Sequence, residues 1–266
     1  MSDSMKQTAG QGQQGLQSLL SLACQAARAA GAAILEIYTG EDFEVSDKAN
    51  HSPLTAADLA AHRVIKDVLV PSALPLLSEE GRDIPYAERR QWQRFWLVDP
   101  LDGTKEFIKR NGEFTVNIAL IEAGQPILGV VYVPVRDQLY FGARGLGVWK
   151  EAGGQTTSLQ TVSKPLSTPG LRVVASRSHR DAETESFLAG LTQPEVVSMG
   201  SSLKFMLLAE GSADLYPRFA PTMEWDTAAA QAVLELAGGS LLVRDTGQPL
   251  SYNKPELRNP HFLARA

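Results

Sequence analysis

The chain of 266 residues has little cysteine, and Cys24 is its only thiol. A single thiol excludes an intramolecular disulfide framework, so we expect a reducing compartment and a cytoplasmic location. Peripheral attachment to the inner face of a membrane is left open. Cys24 lies in an Ala/Leu-rich run with helical spacing, which is typical of a small core side chain rather than a nucleophile.

The sequence also lacks a long hydrophobic run. No segment approaches the roughly 18 unbroken apolar residues that a transmembrane helix requires. Residues 1–14 are polar and rich in Gln and Gly, without the apolar centre of a signal peptide. We therefore expect no transmembrane segment, and a flexible tail over residues 1–14.

Positive charge is scarce. The 25 lysines and arginines are outnumbered by 30 aspartates and glutamates, which gives a formal net charge of −5. Nonspecific binding to a nucleic acid polymer or to an anionic membrane needs an extended basic surface, so this balance argues against both partners. A few local cations suffice for a small anion, and a small-molecule partner is expected. The oligomeric state is not determined by these patterns.

The composition, with 44% hydrophobic and 21% charged residues, allows a large core in one large or two compact domains. Apolar residues at helical spacing predict helices over residues 15–39 and 55–70. β-branched runs between Phe114 and Trp149, separated by short turns, predict an antiparallel meander.

The pattern changes near residue 160. Beyond it, strands and helices are predicted to alternate, with strands over 171–175, 195–198 and 214–219 and helices over 181–191, 201–210 and 224–236. This alternation favours an α/β unit over residues 161–266, following an α+β unit over residues 15–160. We therefore predict a mixed, layered α/β protein.

The segment Asp99-Pro100-Leu101-Asp102-Gly103-Thr104 carries the strongest chemical signal. Two carboxylates this close repel each other when ionised, and a hard divalent cation with oxygen ligands, such as Mg²⁺, removes the conflict. An ordinary Asp/Pro/Gly turn is the alternative. Five fixed residues in six arise by chance in a chain of this length about once in 10⁴. We therefore interpret the segment as a metal site on a turn that follows a short apolar strand.

Three further segments accompany it: Ser52-Pro53-Leu54-Thr55-Ala56-Ala57-Asp58, Leu77-Ser78-Glu79-Glu80 and Glu224-Trp225-Asp226-Thr227-Ala228-Ala229. Together with D-P-x-D-G-T, and in the same order, they resemble the motifs of the lithium-sensitive, magnesium-dependent phosphatases of the inositol monophosphatase superfamily. The resemblance implies a layered αβαβα sandwich with the site between its two halves. It also implies direct attack of water on a phosphate monoester.

Residue by residue, the resemblance implies two or three Mg²⁺ ions, whose ligands are the carboxylates of Glu79, Asp99, Asp102 and Asp226 and the backbone carbonyl of Leu101. It assigns catalysis to a dyad of Thr104 with Asp58, with Glu79 nearby. The amides of Gly103 and Thr104 are implied donors to the phosphate.

The residues taken by themselves leave alternatives open. The local pattern does not decide between Glu79 and Glu80 as the metal ligand. Asp58 and Asp226 are also typical of acids in the first turn of a helix, where the helix dipole favours them.

Four segments indicate a branch of the superfamily: Lys105-Glu106-Phe107 after the aspartate motif, Ser176-Arg177-Ser178-His179, Gly200-Ser201-Ser202-Leu203-Lys204-Phe205 and Leu215-Tyr216-Pro217-Arg218-Phe219. They resemble the bisphosphate nucleotidases. The resemblance implies hydrolysis of the 3′-phosphate of adenosine 3′,5′-bisphosphate to AMP. Hydrolysis of 3′-phosphoadenylyl sulfate to adenylyl sulfate is left open as a second activity.

In that branch the implied substrate contacts extend beyond the metal ligands Glu79, Leu101, Asp102 and Asp226. Lys204 and Arg218 would neutralise the second phosphate, while His179 or Ser201 would contact the base or the sugar. Surface solvation of each cation is the alternative, as is a plain helix cap at residues 200–202. An inositol-1-phosphate or sugar-phosphate phosphatase and a catalytically silent binding module are the alternative functions.

Overall fold

The computed structural model describes residues 2–40, 53–175 and 181–266. Its helices are α1 (Ser2–Tyr38), α2 (Pro53–Leu69), α3 (Tyr86–Arg89), α4 (Thr104–Ile108), α5 (Ala182–Ala189), α6 (Leu203–Ala209) and α7 (Glu224–Leu236). Its strands are β1 (Leu76–Ser78), β2 (Arg94–Asp102), β3 (Thr115–Glu122), β4 (Gln125–Val133), β5 (Gln138–Ala143), β6 (Gly147–Ala152), β7 (Gln155–Ser158), β8 (Arg172–Val174), β9 (Glu195–Val197), β10 (Leu215–Arg218), β11 (Ser240–Val243) and β12 (Phe262–Arg265). Two short 3₁₀ turns lie at Val70–Ser72 and Pro134–Arg136.

The strands form two sheets. In the first, β1 to β7 lie side by side in chain order; β1 runs parallel to β2, and the following neighbours are antiparallel, as the predicted meander requires. The second has the order β11-β12-β10-β8-β9. Its β8 is parallel to both β9 and β10, whereas β12 is antiparallel to β10 and β11.

Both faces of the first sheet are buried at its centre, because β2, β3 and β4 are nearly continuous buried runs whose successive side chains point to opposite faces. Trp96 and Val98 of β2 pack in one cluster with α1 and α2, whereas Phe95 and Leu97 pack in another with α7. The second cluster continues into β11 and β12, so α7 lies between the two sheets. On the far side, Leu188 of α5 packs against β8 and β10. The resulting order, helix–sheet–helix–sheet–helix, confirms the predicted αβαβα fold.

Gly129 of β4 allows α7 to approach the first sheet closely. A Cβ at this position would lie 2.2 Å from the carbonyl oxygen of Ala229 and 2.8 Å from Cβ of Ala232. A larger residue would therefore push α7 away from β4. This contact matters for the site because Asp226 lies in the first turn of α7.

Helix α1 differs from the expectation of a flexible tail, since it begins at Ser2 and includes residues 2–14. Polar residues such as Gln and Lys are good helix formers, so polarity alone does not end a helix. Gly15–Tyr38 has the length and the mean hydropathy, 1.4, of a membrane span, although polar residues interrupt its apolar residues throughout. Ala23, Ala27 and Ile34 are fully buried against the protein, which identifies this segment as a core helix.

The division of the chain near residue 160 remains a prediction. It falls in the connection between β7 and β8. However, one buried cluster runs without interruption from the first sheet through α7 into the second. The two halves therefore share a core.

Candidate active site

Asp99 and Asp102 lie in a bulged strand, so the prediction of a turn at this point is wrong. Strand β2 continues to Asp102, and its register shifts between Asp99, opposite Asn117, and Asp102, opposite Thr115. The extra residue in β2 resets the side-chain alternation, which would otherwise direct residues 99 and 102 to opposite faces. Gly103, with a φ of 104°, then ends the strand, and α4 begins at the next residue.

Three carboxylates meet beside this bulge. Ligand oxygens of Glu79, Asp99 and Asp226 all lie within 4.8 Å of one another. Parallel pairing places Ser78 of β1 beside Val98 of β2, and the amide of Glu79 donates to the carbonyl of Val98 at 3.2 Å. Glu79 therefore follows the end of β1 into the cluster. Among the described residues this group contains Glu79 and not Glu80, which favours Glu79 as the metal ligand.

The cluster is electrostatically strained without a cation. Burial, followed by the charges of Asp102 and Glu79, raises the pKa of Asp99 well above its ordinary value. Burial and the charge of Asp102 raise the pKa of Asp226 to about 7, and burial with the charge of Glu80 raises the pKa of Glu79. Asp99 is buried, Asp226 is partly buried and Glu79 is exposed. This all-oxygen donor set fits a hard divalent cation, because the cation lets the acids ionise together.

Asp226 serves two purposes. Its Oδ2 accepts a hydrogen bond from the amide of Met223 at 2.8 Å, which caps α7, while it also belongs to the carboxylate cluster. The two interpretations of this first-turn acid are therefore compatible. For Leu101, the structure shows a buried residue whose amide donates to Oδ1 of Asp99 at 3.0 Å. Its carbonyl remains a predicted metal ligand.

Asp58 lies on the second turn of α2, because the helix begins at Pro53. The interpretation of Asp58 as a first-turn acid is therefore wrong. Burial, followed by the charges of Glu80 and Glu79, raises its pKa to about 8, so it faces the same acidic centre. Thr104 is exposed at the start of α4, and no hydrogen bond joins it to Asp58 among the described residues. The Thr104–Asp58 dyad remains a prediction.

Asp102 is held by two residues that the sequence did not identify. Its Oδ2 accepts hydrogen bonds from the amide of Ser202 at 2.6 Å and from the hydroxyl of Ser202 at 2.8 Å. The amide group of Asn117 approaches the same oxygen at 3.4 Å. Ser202 lies in the segment that the resemblance assigns to nucleotide contacts, with a helix cap as the alternative, and neither interpretation gives it a contact with Asp102. The sequence signal for Asn117 is a lone amide inside the apolar strand β3.

A cavity of about 80 Å³ lies between the carboxylates and two cations. Its lining includes Asp102, Asp226, Ser201, Lys204 and Arg218. The Nζ of Lys204 donates to the carbonyl of Ser201 at 3.1 Å, and Nη2 of Arg218 donates to that of Pro221 at 3.2 Å. The buried Nε of Arg218 has no protein acceptor within the described residues. Of the predicted nucleotide contacts, only His179 lies outside the described residues.

The raised pKa values predict how the metal-free protein responds to pH. Asp58 and Asp226 ordinarily titrate near 3.8, but in the folded protein their pKa values are about 8 and about 7. Between about pH 4 and pH 8 the folded state therefore retains protons that the unfolded state has released, so stability falls as the pH rises.

We expect the Tm in EDTA to decrease steadily from about pH 5 to pH 8.5. The decrease should be smaller in the Asp58→Asn variant, because the asparagine side chain carries no charge at any of these pH values. Saturating Mg²⁺ should also weaken the decrease. Differential scanning calorimetry across this range measures both. A metal-free Tm that rises towards pH 8 would contradict the buried acidic centre.

Known proteins are similar to this chain in sequence. A model of the inositol monophosphatase family matches residues 15–263. The chain is 54% identical over 241 residues to the 3′(2′),5′-bisphosphate nucleotidase CysQ of Escherichia coli (strain K12), covering 87% of this chain and 93% of the relative. It is 52% identical, with the same coverage, to CysQ of Salmonella typhimurium (strain LT2).

Solved structures are similar as well. The crystal structure of CysQ from Bacteroides thetaiotaomicron superposes with a TM-score of 0.87 at 45% identity, covering 94% of this chain and 97% of that one. An inositol monophosphatase from Zymomonas mobilis superposes with a TM-score of 0.76 at 24% identity, covering 94% and 92%. The latter likeness concerns the fold alone.

Proposed function

The chain belongs to the inositol monophosphatase family, and from this membership we propose how its carboxylate cluster hydrolyses a phosphate monoester with Mg²⁺. The enzyme is a 3′(2′),5′-bisphosphate nucleotidase, which removes the 3′-phosphate of adenosine 3′,5′-bisphosphate to leave AMP. The observation that carries the assignment of residues is the cavity lined by both the carboxylates and the cations Lys204 and Arg218. One phosphate needs metal-binding acids, and the other needs fixed positive charge.

The acids would hold two or three Mg²⁺ ions through Glu79, Asp99, Asp102, Asp226 and the carbonyl of Leu101. When bound, the ions supply charge neutralisation of the phosphoryl group and a lower pKa of the attacking water. The protein contributes the fixed geometry. The bulge in β2 places Asp99 and Asp102, the parallel pairing of β1 with β2 places Glu79 just after β1, and the first turn of α7 places Asp226.

The attacking water also needs a proton acceptor. We assign this role to Asp58 acting through the hydroxyl of Thr104, with Glu79 nearby. Asp58 titrates within the physiological range in the metal-free protein, since burial and neighbouring acids raise its pKa to about 8. Cations bound beside Glu79 would offset part of the negative charge that raises this pKa, which would favour the ionised, proton-accepting form of Asp58 near neutral pH. The amides of Gly103 and Thr104 are proposed donors to the reacting phosphate.

The retained phosphate is assigned to Lys204 and Arg218. The unpaired, buried Nε of Arg218 supports this, because a buried donor without an acceptor is costly unless a ligand supplies one. Ser201 lines the same cavity, and His179 is proposed to contact the base or the sugar. We infer a cytoplasmic site of action; peripheral membrane attachment and oligomeric state stay open.

A substrate panel tests this assignment. Adenosine 3′,5′-bisphosphate should exceed inositol 1-phosphate in kcat/KM, and Lys204→Met or Arg218→Met should each lose about 1.5–3 kcal/mol on the nucleotide, the worth of a charge-assisted hydrogen bond. This corresponds to roughly 10- to 150-fold in kcat/KM. Turnover of inositol 1-phosphate should barely change. Phosphate release is measured with Mg²⁺, with EDTA and with Li⁺, which by family resemblance should inhibit.

Arg258→Met is the matched control, because Arg258 is an exposed cation, and its ion pair with Glu256 at 3.7 Å is exposed too. It should leave both substrates unaffected. Equal losses on both substrates in the Lys204 and Arg218 variants would remove the retained-phosphate assignment. A wild-type preference for the inositol phosphate would favour the related sugar-phosphate or inositol-phosphate activity instead.

A further inference from the structure

Ser202 is buried where the two halves of the protein meet, with 1% of its surface exposed. Its amide and its hydroxyl both donate to Oδ2 of Asp102, at 2.6 and 2.8 Å. The same hydroxyl lies 3.0 Å from the backbone carbonyl of Asp226. One side chain therefore contacts a proposed metal ligand of the first sheet and the turn of α7 that carries another.

Asn117 fixes the direction in which the Ser202 hydroxyl points. Its Nδ2 donates to Oγ of Ser202 at 3.0 Å, and the hydroxyl of Thr115 donates to its Oδ1 at 3.1 Å. A hydroxyl has a single proton. Since Oγ of Ser202 accepts from Asn117, its own proton is shared between Oδ2 of Asp102, at 2.8 Å, and the backbone carbonyl oxygen of Asp226, at 3.0 Å.

These contacts saturate one oxygen of Asp102 and leave the other available. Oδ1 of Asp102 accepts no hydrogen bond from the part of the chain that the structure describes, whereas Oδ2 has the two donors of Ser202 and the more distant amide of Asn117. A carboxylate held in this way has its orientation set before a cation arrives. Outer residues that orient metal ligands raise metal affinity by this means.

We propose that Ser202 is a positioning residue for metal binding: its hydroxyl orients Asp102 and joins it to the Asp226 turn, so that both acids are aligned for the cation. The inference rests on the metal site described under the proposed function. It goes beyond that site because it assigns the alignment of Asp102 with Asp226 to one hydroxyl group. Asn117 supports Ser202 in this role.

The test measures Mg²⁺ binding without substrate, as the dependence of Tm on Mg²⁺ concentration. Ser202→Ala removes the hydroxyl and retains the backbone hydrogen bond to Asp102, so the variant should fold. We expect its Mg²⁺ dissociation constant to rise about tenfold, the lower range for loss of such an orienting group. Activity should be recovered to within a few-fold at saturating Mg²⁺. Asn117→Ala should shift the dissociation constant in the same direction.

Thr161→Val is the matched control, because it also removes a buried hydroxyl, one that has no hydrogen-bond partner within the described residues. Its Mg²⁺ dissociation constant should equal that of the wild type. A Ser202→Ala variant with lower Tm but wild-type Mg²⁺ affinity would overturn the proposal and leave Ser202 a purely structural role. A wild-type protein whose Tm does not respond to Mg²⁺ would overturn the metal site itself, and this inference with it.

Discussion

Asp99→Asn should reduce kcat/KM for adenosine 3′,5′-bisphosphate by about 10³-fold, equivalent to about 4 kcal/mol of transition-state stabilisation. Asp99 is buried at the centre of the acidic cluster, where one oxygen accepts the amide of Leu101. Asparagine preserves the shape of the side chain but removes the charge that a divalent cation requires. The loss should persist at high substrate concentration, because it affects chemistry more than substrate binding.

Stability measurements separate this loss from misfolding. Bound Mg²⁺ at 100 times its dissociation constant should stabilise the wild type by about 2.7 kcal/mol, and Asp99→Asn should lose most of this gain. In EDTA the variant should melt above the wild type at neutral pH, since it lacks one of the mutually repelling buried acids.

Glu79→Gln and Glu80→Gln form a matched pair of neighbouring substitutions. Only Glu79 belongs to the three-carboxylate group, so Glu79→Gln should resemble Asp99→Asn while Glu80→Gln should stay within a few-fold of the wild type. If the two glutamine variants behave alike, or if Asp99→Asn binds Mg²⁺ normally, the assigned ligand set is wrong.

Thr104→Ala should lower kcat by roughly 10²- to 10⁴-fold, the usual contribution of a positioned proton acceptor and its orienting group. The hydroxyl at the start of α4 is proposed to connect the attacking water with Asp58. Its removal leaves the acids of the metal cluster in place. We therefore expect Mg²⁺-dependent stabilisation to remain unchanged.

Thr104→Ser provides the control, because it keeps the hydroxyl and removes only a methyl group. It should retain most of the wild-type turnover, as measured by phosphate release under single-turnover conditions. Full activity in Thr104→Ala would refute the dyad. Loss of Mg²⁺ binding in the same variant would instead give Thr104 a role in holding the metal.

The regular elements could be predicted from the sequence because they depend on local periodicity. The continuous apolar, β-branched runs of β3 and β4 and the helical spacing in α1 and α7 follow from which faces are buried. Strands β11 and β12 were not predicted; they pair with each other, and β12 pairs with β10, across long sequence separations that local periodicity does not show. The helical conformation of residues 2–14 was not predicted, because a polar composition is typical of flexible tails as well as of exposed helices.

The site could be predicted only in part, since its ligands were visible as motifs while their arrangement was not. The bulge in β2 depends on pairing with Asn117 and Thr115, and the distinction between Glu79 and Glu80 depends on the parallel pairing of β1 with β2. Ser202 reaches Asp102 across a sequence separation of 100 residues. A contact across such a separation produces no pattern in the local sequence.

The position of α7 between the two sheets determines when the enzyme becomes complete during its synthesis. A nascent chain that ends near residue 160 would leave one face of the first sheet uncovered, with Phe95, Leu97 and Val131 exposed to water. That face is covered only when residues 224–236 have emerged from the ribosome and packed against Gly129. The same step delivers Asp226, so the core between the two sheets and the complete three-carboxylate group form together, late in translation. The cluster that α1 and α2 form with the other face of the first sheet needs only residues up to Trp149.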